Sequence, residues 1–202
     1  MKSNLTQNIW AVGRNYKAHA IEMKAKVPSE PFFFLKSGAC LETDTKIVLP
    51  SWSNDVHHEI EIALWIDENL NFSHLSLALD LTARDAQNLA KSKGLPWTLA
   101  KSFKGACPIG PWLSVQDIGS LDYLSLELVK NKQIAQKGQA SDMIFKPQQL
   151  LEFVKKHYPI KAYDIILTGT PEGVAALKSG DLLTARLQSE NRDILTCHWD
   201  VI

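Results

Sequence analysis

Cysteine is scarce in this chain. Its 202 residues include three, Cys40, Cys107 and Cys197, far apart and without a C-x-x-C pair. An odd, scattered set excludes a disulfide framework and fits buried thiols in a reducing compartment. Surplus charge is missing too: 22 Lys and Arg stand against 22 Asp and Glu. That balance argues against nucleic acid as the main partner, because phosphate binding needs a cationic excess. Long apolar runs are also lacking. The longest, such as residues 62–66, extend over about five residues and cannot span a bilayer. Residues 1–8 are polar with no apolar h-region, so no secretory signal is expected. A cytoplasmic protein with neither membrane nor nucleic-acid partners is the reading these absences leave. At 45% hydrophobic and 22% charged residues, the composition is that of a globular chain and excludes disorder.

No internal repeat, flexible linker or like-charge block divides the chain, so residues 1–202 read as one domain. Period-two patterns dominate. Strands are predicted over 9–12, 31–36, 46–49, 56–66, 76–82, 124–129, 165–168, 182–187 and 194–199. A turn near Asn131 leads into a short partner strand through Ile134. Over 56–66 the even positions are Val56, His58, Ile60, Ile62, Leu64 and Ile66, one strongly apolar face. The odd positions hold His57, Glu59, Glu61, Ala63 and Trp65. Helices are few. One is expected over 15–25. A second starts from a Thr82-x-x-Asp85 capping pattern and stops at Gly94 and Pro96. A third covers 147–157, with Pro147 in its first turn and Lys155, Lys156 and His157 at its negative end. The fold class is α+β, rich in sheet.

Glu59 and Glu61 leave one face of their strand about 7 Å apart. An isolated E-x-E strand is most simply a solvated face. Here the face runs on into Ala63 and Trp65, so it is not wholly wet, and two carboxylates in a partly dry site need a raised pKa or a bound cation. Asp80, the one charge on a face with Ser76 and Ala78, is either the third oxygen ligand or a helper at the start of the next helix. Three carboxylates suit Mg²⁺, with positions left for water and substrate. A zinc site on His57 and His58 is the competing metal reading, but neighbours on a strand point to opposite faces. His19 and Glu22 are three apart in the first helix: a minor surface pair, or a carboxylate-held His that takes a proton from water. The stretch 168–173, Thr-Gly-Thr-Pro-Glu-Gly, offers backbone N–H groups to a small anion. Lys36 and Lys101 are single cations beside apolar runs, each a snorkelling surface residue or a charge aimed at an anionic substrate.

In chain order, the segments GRNYKAHAIEM (13–23), PFFFLKS (31–37), VHHEIEIAL (56–64), LDLTARDAQ (79–87), GLPWTLAKSF (94–103), SDMIF (141–145) and DIILTGTPEGV (164–174) resemble the fumarylacetoacetate hydrolase family. The resemblance is closest to its small branch acting on acylpyruvates and oxaloacetate. It implies a β-rich α+β roll, a homodimer, and Mg²⁺ or Mn²⁺ held by Glu59, Glu61 and Asp80. It also implies a water-activating His19–Glu22 pair with Lys101 in the catalytic set, and substrate contacts from Arg14, Arg84, Gln87 and Thr170. The implied reactions are C–C hydrolysis of acylpyruvates, or decarboxylation or tautomerisation of oxaloacetate. Isomerisation or decarboxylation of longer unsaturated dicarboxylates, and a catalytically silent metal-binding member, are the alternatives. Three features depart from the family pattern. The segment between Glu61 and Asp80 is short, which removes most of a helix. Ala175 and Ala176 stand where a further Gly and then Pro are usual. Tyr163 stands where a turn Gly is common.

Overall fold

The structure is a computed structural model that describes residues 6–190 and 192–202. The β-branched and aromatic runs form strands, as their propensity favours. A six-stranded mixed sheet has the order Leu113–Ser114, Phe72–Leu79, Ile60–Ile66, Ile165–Leu167, Asn8–Val12, Phe33–Ser37. Asn8–Val12 and Ile165–Leu167 run parallel, and their neighbours are antiparallel. A five-stranded sheet has the order Gln133–Gln139, Leu124–Lys130, Leu182–Ser189, Arg192–Val201, Lys46–Ile47. A smaller sheet joins Ala175–Ala176, Val56–His58 and Thr82–Ala83.

Alternation along Asn8–Val12 sorts its side chains into two cores. Ile9 and Ala11 join the main core together with Leu126, Leu128, Ala185, Leu187 and Trp199 of the five-stranded sheet. Trp10 and Val12 instead meet Leu150, Leu151 and Val154 of the helix Pro147–His157. That helix has the predicted bounds. Its Gln149 side chain accepts the Lys146 N–H, and Pro147 fills a position where the missing N–H costs nothing.

Other elements differ from the sequence-based expectation. The strand predicted over 56–66 breaks at Glu59 into Val56–His58 and Ile60–Ile66, which belong to different sheets. Both faces of Ile60–Ile66 are buried. The first helix is only Lys17–Glu22, because Tyr16 is held extended by a bridge to Met143 and Lys24 takes a left-handed turn. The second helix, Arg84–Lys93, has no side-chain cap. The Thr82 hydroxyl donates back to the Asp80 carbonyl, and the Asp85 carboxylate accepts the Ser53 hydroxyl and Asn54 N–H. A short fourth helix, Thr98–Lys101, was not anticipated.

The short segment between Glu61 and Asp80 is a hairpin. Asp67 closes its turn by accepting the N–H groups of Asn69 and Asn71, both at 2.8 Å. The wall behind Asp80 comes from another part of the chain: Leu81 N–H donates to the Ala106 carbonyl, and Ala78 bridges Ile109. Tyr163 adopts the left-handed conformation that a glycine would take freely (φ 72°). Its ring packs near Trp65 and its hydroxyl donates to Glu68, contacts that offset the backbone cost. Among the described residues, no helix is long and apolar enough to cross a membrane.

Candidate active site

Strand register assembles the acidic centre. In the hairpin Ile60 lies opposite Leu79 and Glu61 opposite Ala78. One step further, Asp80 N–H donates to the Glu59 carbonyl at 2.8 Å, so those two ligand candidates sit side by side. On the other flank Leu167 pairs with Ala63, which brings Gly169 level with Glu61. Glu61 therefore lies between an alanine and a glycine, with room on both sides. Gly169 has φ 90°, and a Cβ there would come within 2.6 Å of Asn15 Cβ, so no larger residue fits. Its N–H donates to Glu61 Oε2 at 2.6 Å.

The three carboxylates each place an oxygen within 4.8 Å of the others, and all three residues are buried. Cations surround them unevenly. Lys101 Nζ donates to Glu59 Oε2 (2.8 Å) and Asp80 Oδ2 (2.5 Å), Arg84 to Glu59 Oε1 (2.5 Å), and Lys36 to Asp80 Oδ1 (2.6 Å). Burial alone would raise the Glu59 carboxyl, but Lys101 and Arg84 more than reverse this and hold it well below the ordinary carboxylate range. Among the described residues Glu61 has no such partner. Burial, then the charges of Asp80 and Glu59, push it well above that range. The centre is thus all-oxygen, buried and least compensated at Glu61, and this donor set can hold a hard divalent cation. His57 and His58 do not join it. His57 pairs with Asp55, and His58 Nδ1 turns to Gln136 at 2.8 Å.

Around this centre one cleft is lined by Arg14, His19, Arg84, Gln87, Lys101 and Thr170 together with the three carboxylates. Glu22 reaches it through His19, whose Nδ1 lies 3.1 Å from Glu22 Oε2. Arg84 also donates to Gln87 Oε1 at 2.7 Å, which fixes both side chains. Arg14 is left-handed (φ 57°) and lays its guanidinium over the Phe32 ring, 5.3 Å from its centroid.

Two sequence readings change. Lys36 is neither a snorkelling surface residue nor aimed at a substrate. It is fully buried, and although burial pulls its ammonium down, Asp80 outweighs that and leaves it above its usual value. The N–H groups of the loop 168–173 do hold carboxylates, but the chain's own: Gly169 holds Glu61, and Gly173 holds Glu22 Oε1 at 3.0 Å. Sequence reasoning missed Gln136 and the aromatic wall of Phe32, Phe34 and Trp97. The one available signal for the wall was its clustering in 31–34 and beside Pro96. All three thiols are free and buried, and burial raises Cys197 to about 12, which makes it a poor nucleophile.

Residues 8–197 match the family model described as fumarylacetoacetate (FAA) hydrolase C-terminal. Over 200 residues the chain is 38% identical to the mitochondrial oxaloacetate decarboxylase of Dictyostelium discoideum, across 93% of this chain and 92% of that protein. It is 38% identical over 190 residues to the mitochondrial oxaloacetate tautomerase of Bos taurus, across 89% of this chain and 86% of that protein. The crystal structure of fumarylpyruvate hydrolase from Pseudomonas aeruginosa in complex with Mn²⁺ and pyruvate matches it with a TM-score of 0.89 at 25% identity, across 98% of this chain and 90% of that chain. The β-rich fold, the ordered motifs and these likenesses agree, and the chain belongs to the fumarylacetoacetate hydrolase family.

Proposed function

We propose that this protein is a divalent-metal-dependent enzyme of short 2-keto acids, with oxaloacetate tautomerisation or decarboxylation as its first activity. The observation that carries this reading is the buried trio of Glu59, Glu61 and Asp80 in the same cleft as His19, Arg14, Arg84, Gln87 and Thr170. Mg²⁺ or Mn²⁺, held by the trio, would supply a Lewis acid that draws electron density from the keto oxygen. The relatives' oxaloacetate activities support the substrate class.

The chain's own groups supply binding and proton transfer. Arg14 and the Thr170 hydroxyl bind the substrate's carboxylates, and Gln87 holds Arg84 against Glu59. The Nδ1–H of His19 donates to Glu22, which leaves Nε2 as the free base. For tautomerisation His19 takes a proton from C3 of the keto form, and a proton is returned to the 2-keto oxygen. For decarboxylation the bond to the 4-carboxylate breaks, CO₂ leaves, and C3 receives a proton. Hydrolysis of acylpyruvates is the second reading, favoured by the same His–Glu geometry: His19 takes a proton from water as it attacks the 4-carbonyl. The C3–C4 bond then breaks, the acyl fragment leaves as its carboxylate, and C3 takes up a proton to give pyruvate. The aromatic wall of Phe32, Phe34 and Trp97 would face an acyl group.

The test is turnover of oxaloacetate, acetylpyruvate and fumarylpyruvate with added Mg²⁺ or Mn²⁺, followed by ultraviolet absorbance. Metal-dependent acceleration is expected, and it should vanish in excess EDTA. Equal rates in EDTA, or no turnover of any of the three, would remove the proposal. His19→Ala separates the chemistries. It is expected to slow tautomerisation and hydrolysis about 10²–10⁴-fold, the usual contribution of a general base. Decarboxylation, which needs no attacking water, is expected to fall less. Uniform loss across all reactions would contradict that assignment.

A further inference from the structure

We infer that Gln136 is a positioning residue that fixes both the direction of the Thr170 hydroxyl and the backbone between the two glutamates. The ligand contact of Thr170 rests on the proposed keto-acid site; the hold on the glutamates does not. Gln136 lies on Gln133–Gln139, the edge strand of the five-stranded sheet, and is the one buried residue of that strand. From there it reaches the end of the six-stranded sheet where the acidic centre sits.

All the hydrogen-bonding capacity of its amide is used. Oε1 accepts from His58 Nδ1 (2.8 Å) and from Ile60 N–H (3.1 Å). Nε2 donates to Thr170 Oγ1 (2.8 Å) and to the Pro171 carbonyl (2.9 Å). The orientation admits no flip, because Ile60 N–H can only donate and the Pro171 carbonyl can only accept. His58 must therefore carry its proton on Nδ1. Two glycines let the strand and the loop come this close. A Cβ on Gly173 would lie 2.1 Å from the Ala135 carbonyl oxygen, and one on Gly138 2.8 Å from Pro171 Cβ.

Two consequences bear on the site. Thr170 Oγ1 already accepts a hydrogen bond from the Gln136 amide, so its own O–H is left to donate. Among the described residues it has no protein acceptor, and Thr170 lines the cleft. A ligand oxygen is the partner that this arrangement calls for. Ile60, for its part, is the residue between Glu59 and Glu61, at the point where the predicted strand breaks. Gln136 holds that break in place, and with it the spacing of two carboxylates.

The experiment measures oxalate binding to the Mg²⁺-loaded protein by calorimetry in a double-mutant cycle of Gln136→Met with Thr170→Val. Gln136→Met alone is expected to weaken oxalate roughly 10–100-fold, as for a lost hydrogen bond to a charged ligand. In the Thr170→Val background the same change is expected to have less than about threefold effect. With Mg²⁺ saturating in every variant, equal losses in both backgrounds would overturn the inference. Gln136→Glu serves as a second variant should Gln136→Met fold poorly. Its carboxylate would accept the Thr170 proton rather than donate, so oxalate should again weaken, and undiminished affinity would overturn the inference. Mn²⁺ affinity without oxalate, read by paramagnetic resonance, and amide exchange at Ile60 are independent of the substrate reading. Gln136→Met, which removes the acceptor of the Ile60 N–H, should weaken Mn²⁺ several-fold and speed Ile60 exchange, whereas Gln136→Glu, whose carboxylate still accepts that N–H, should leave Ile60 exchange near wild type. A wild-type protein that binds Mn²⁺ but not oxalate would count against the proposed substrate class, leaving these two readouts to decide on Gln136.

Discussion

Asp80→Asn is expected to cost the metal-free protein about 3–5 kcal/mol, the usual penalty for leaving a buried charge without its partner. Lys36 is fully buried, and its ammonium is held 2.6 Å from Asp80 Oδ1; among the described residues its other hydrogen-bond partner is the Leu81 carbonyl at 3.4 Å. Asparagine keeps the shape and one acceptor oxygen but removes the charge. For a chain of this length, the loss corresponds to a fall in unfolding temperature of roughly 6–20 °C. Adding Lys36→Met removes the stranded cation and fills similar volume with apolar atoms. That double variant is expected to recover at least half of the lost stability. A shift of less than about 1 kcal/mol for Asp80→Asn, or no recovery on adding Lys36→Met, would show that the buried pair does not hold this corner of the fold.

Glu61→Gln is expected to act in opposite directions on stability and on metal binding. Glutamine can still accept the Gly169 N–H, and its amide group turns repulsion from Asp80 and Glu59 into attraction. The pH dependence has a definite sign. The Glu61 carboxyl is raised well above the ordinary value of 4.5 by burial and by its acidic neighbours. Above that ordinary value the native state keeps a proton that the unfolded state has lost. Stability conferred by this residue therefore falls as pH rises, until the native carboxyl ionises as well. The variant lacks that slope. Without metal, its stability should match wild type near pH 4 and exceed it increasingly as pH rises, levelling off once the native Glu61 carboxyl ionises, read by denaturant unfolding at each pH. Meanwhile Mn²⁺ affinity should drop sharply. Turnover should fall by about 10³ or more, since Lewis-acid stabilisation is worth several kcal/mol and each 1.36 kcal/mol is tenfold. A variant less stable than wild type at every pH, with metal affinity intact, would refute the account of Glu61 as the least compensated ligand.

Much of the centre was legible in the sequence because its parts are local. The E-x-E spacing, an acid at the end of a small-residue strand, and His19 with Glu22 one helical turn apart each declare themselves within a few residues. The helix over 147–157 was readable for the same reason, since Pro147 and the basic last turn mark its ends. Where the reading failed, a tertiary partner had overridden a local pattern. Thr82 and Asp85 look like a cap, but Ser53 and Asn54 claim the Asp85 carboxylate. The alternation over 56–66 read as one strand with an apolar face and a partly dry one, but the strand breaks at Glu59 and layers on both sides bury Ile60–Ile66 completely.

Taken alone, then, the sequence pointed to the family through motifs in chain order, to the β-rich class through period-two patterns, and to the acidic trio through the E-x-E spacing together with the family resemblance. Only the tertiary structure decided how that trio is compensated. Lys36 meets Asp80 across 44 positions, Gln136 meets Ile60 across 76, and Gly169 meets Glu61 across 108. Such meetings are set by the register between strands distant in sequence, and a one-residue slip would point each side chain to the opposite face. Local periodicity records which face a residue takes, while its partner across the sheet is settled only when the strands pair.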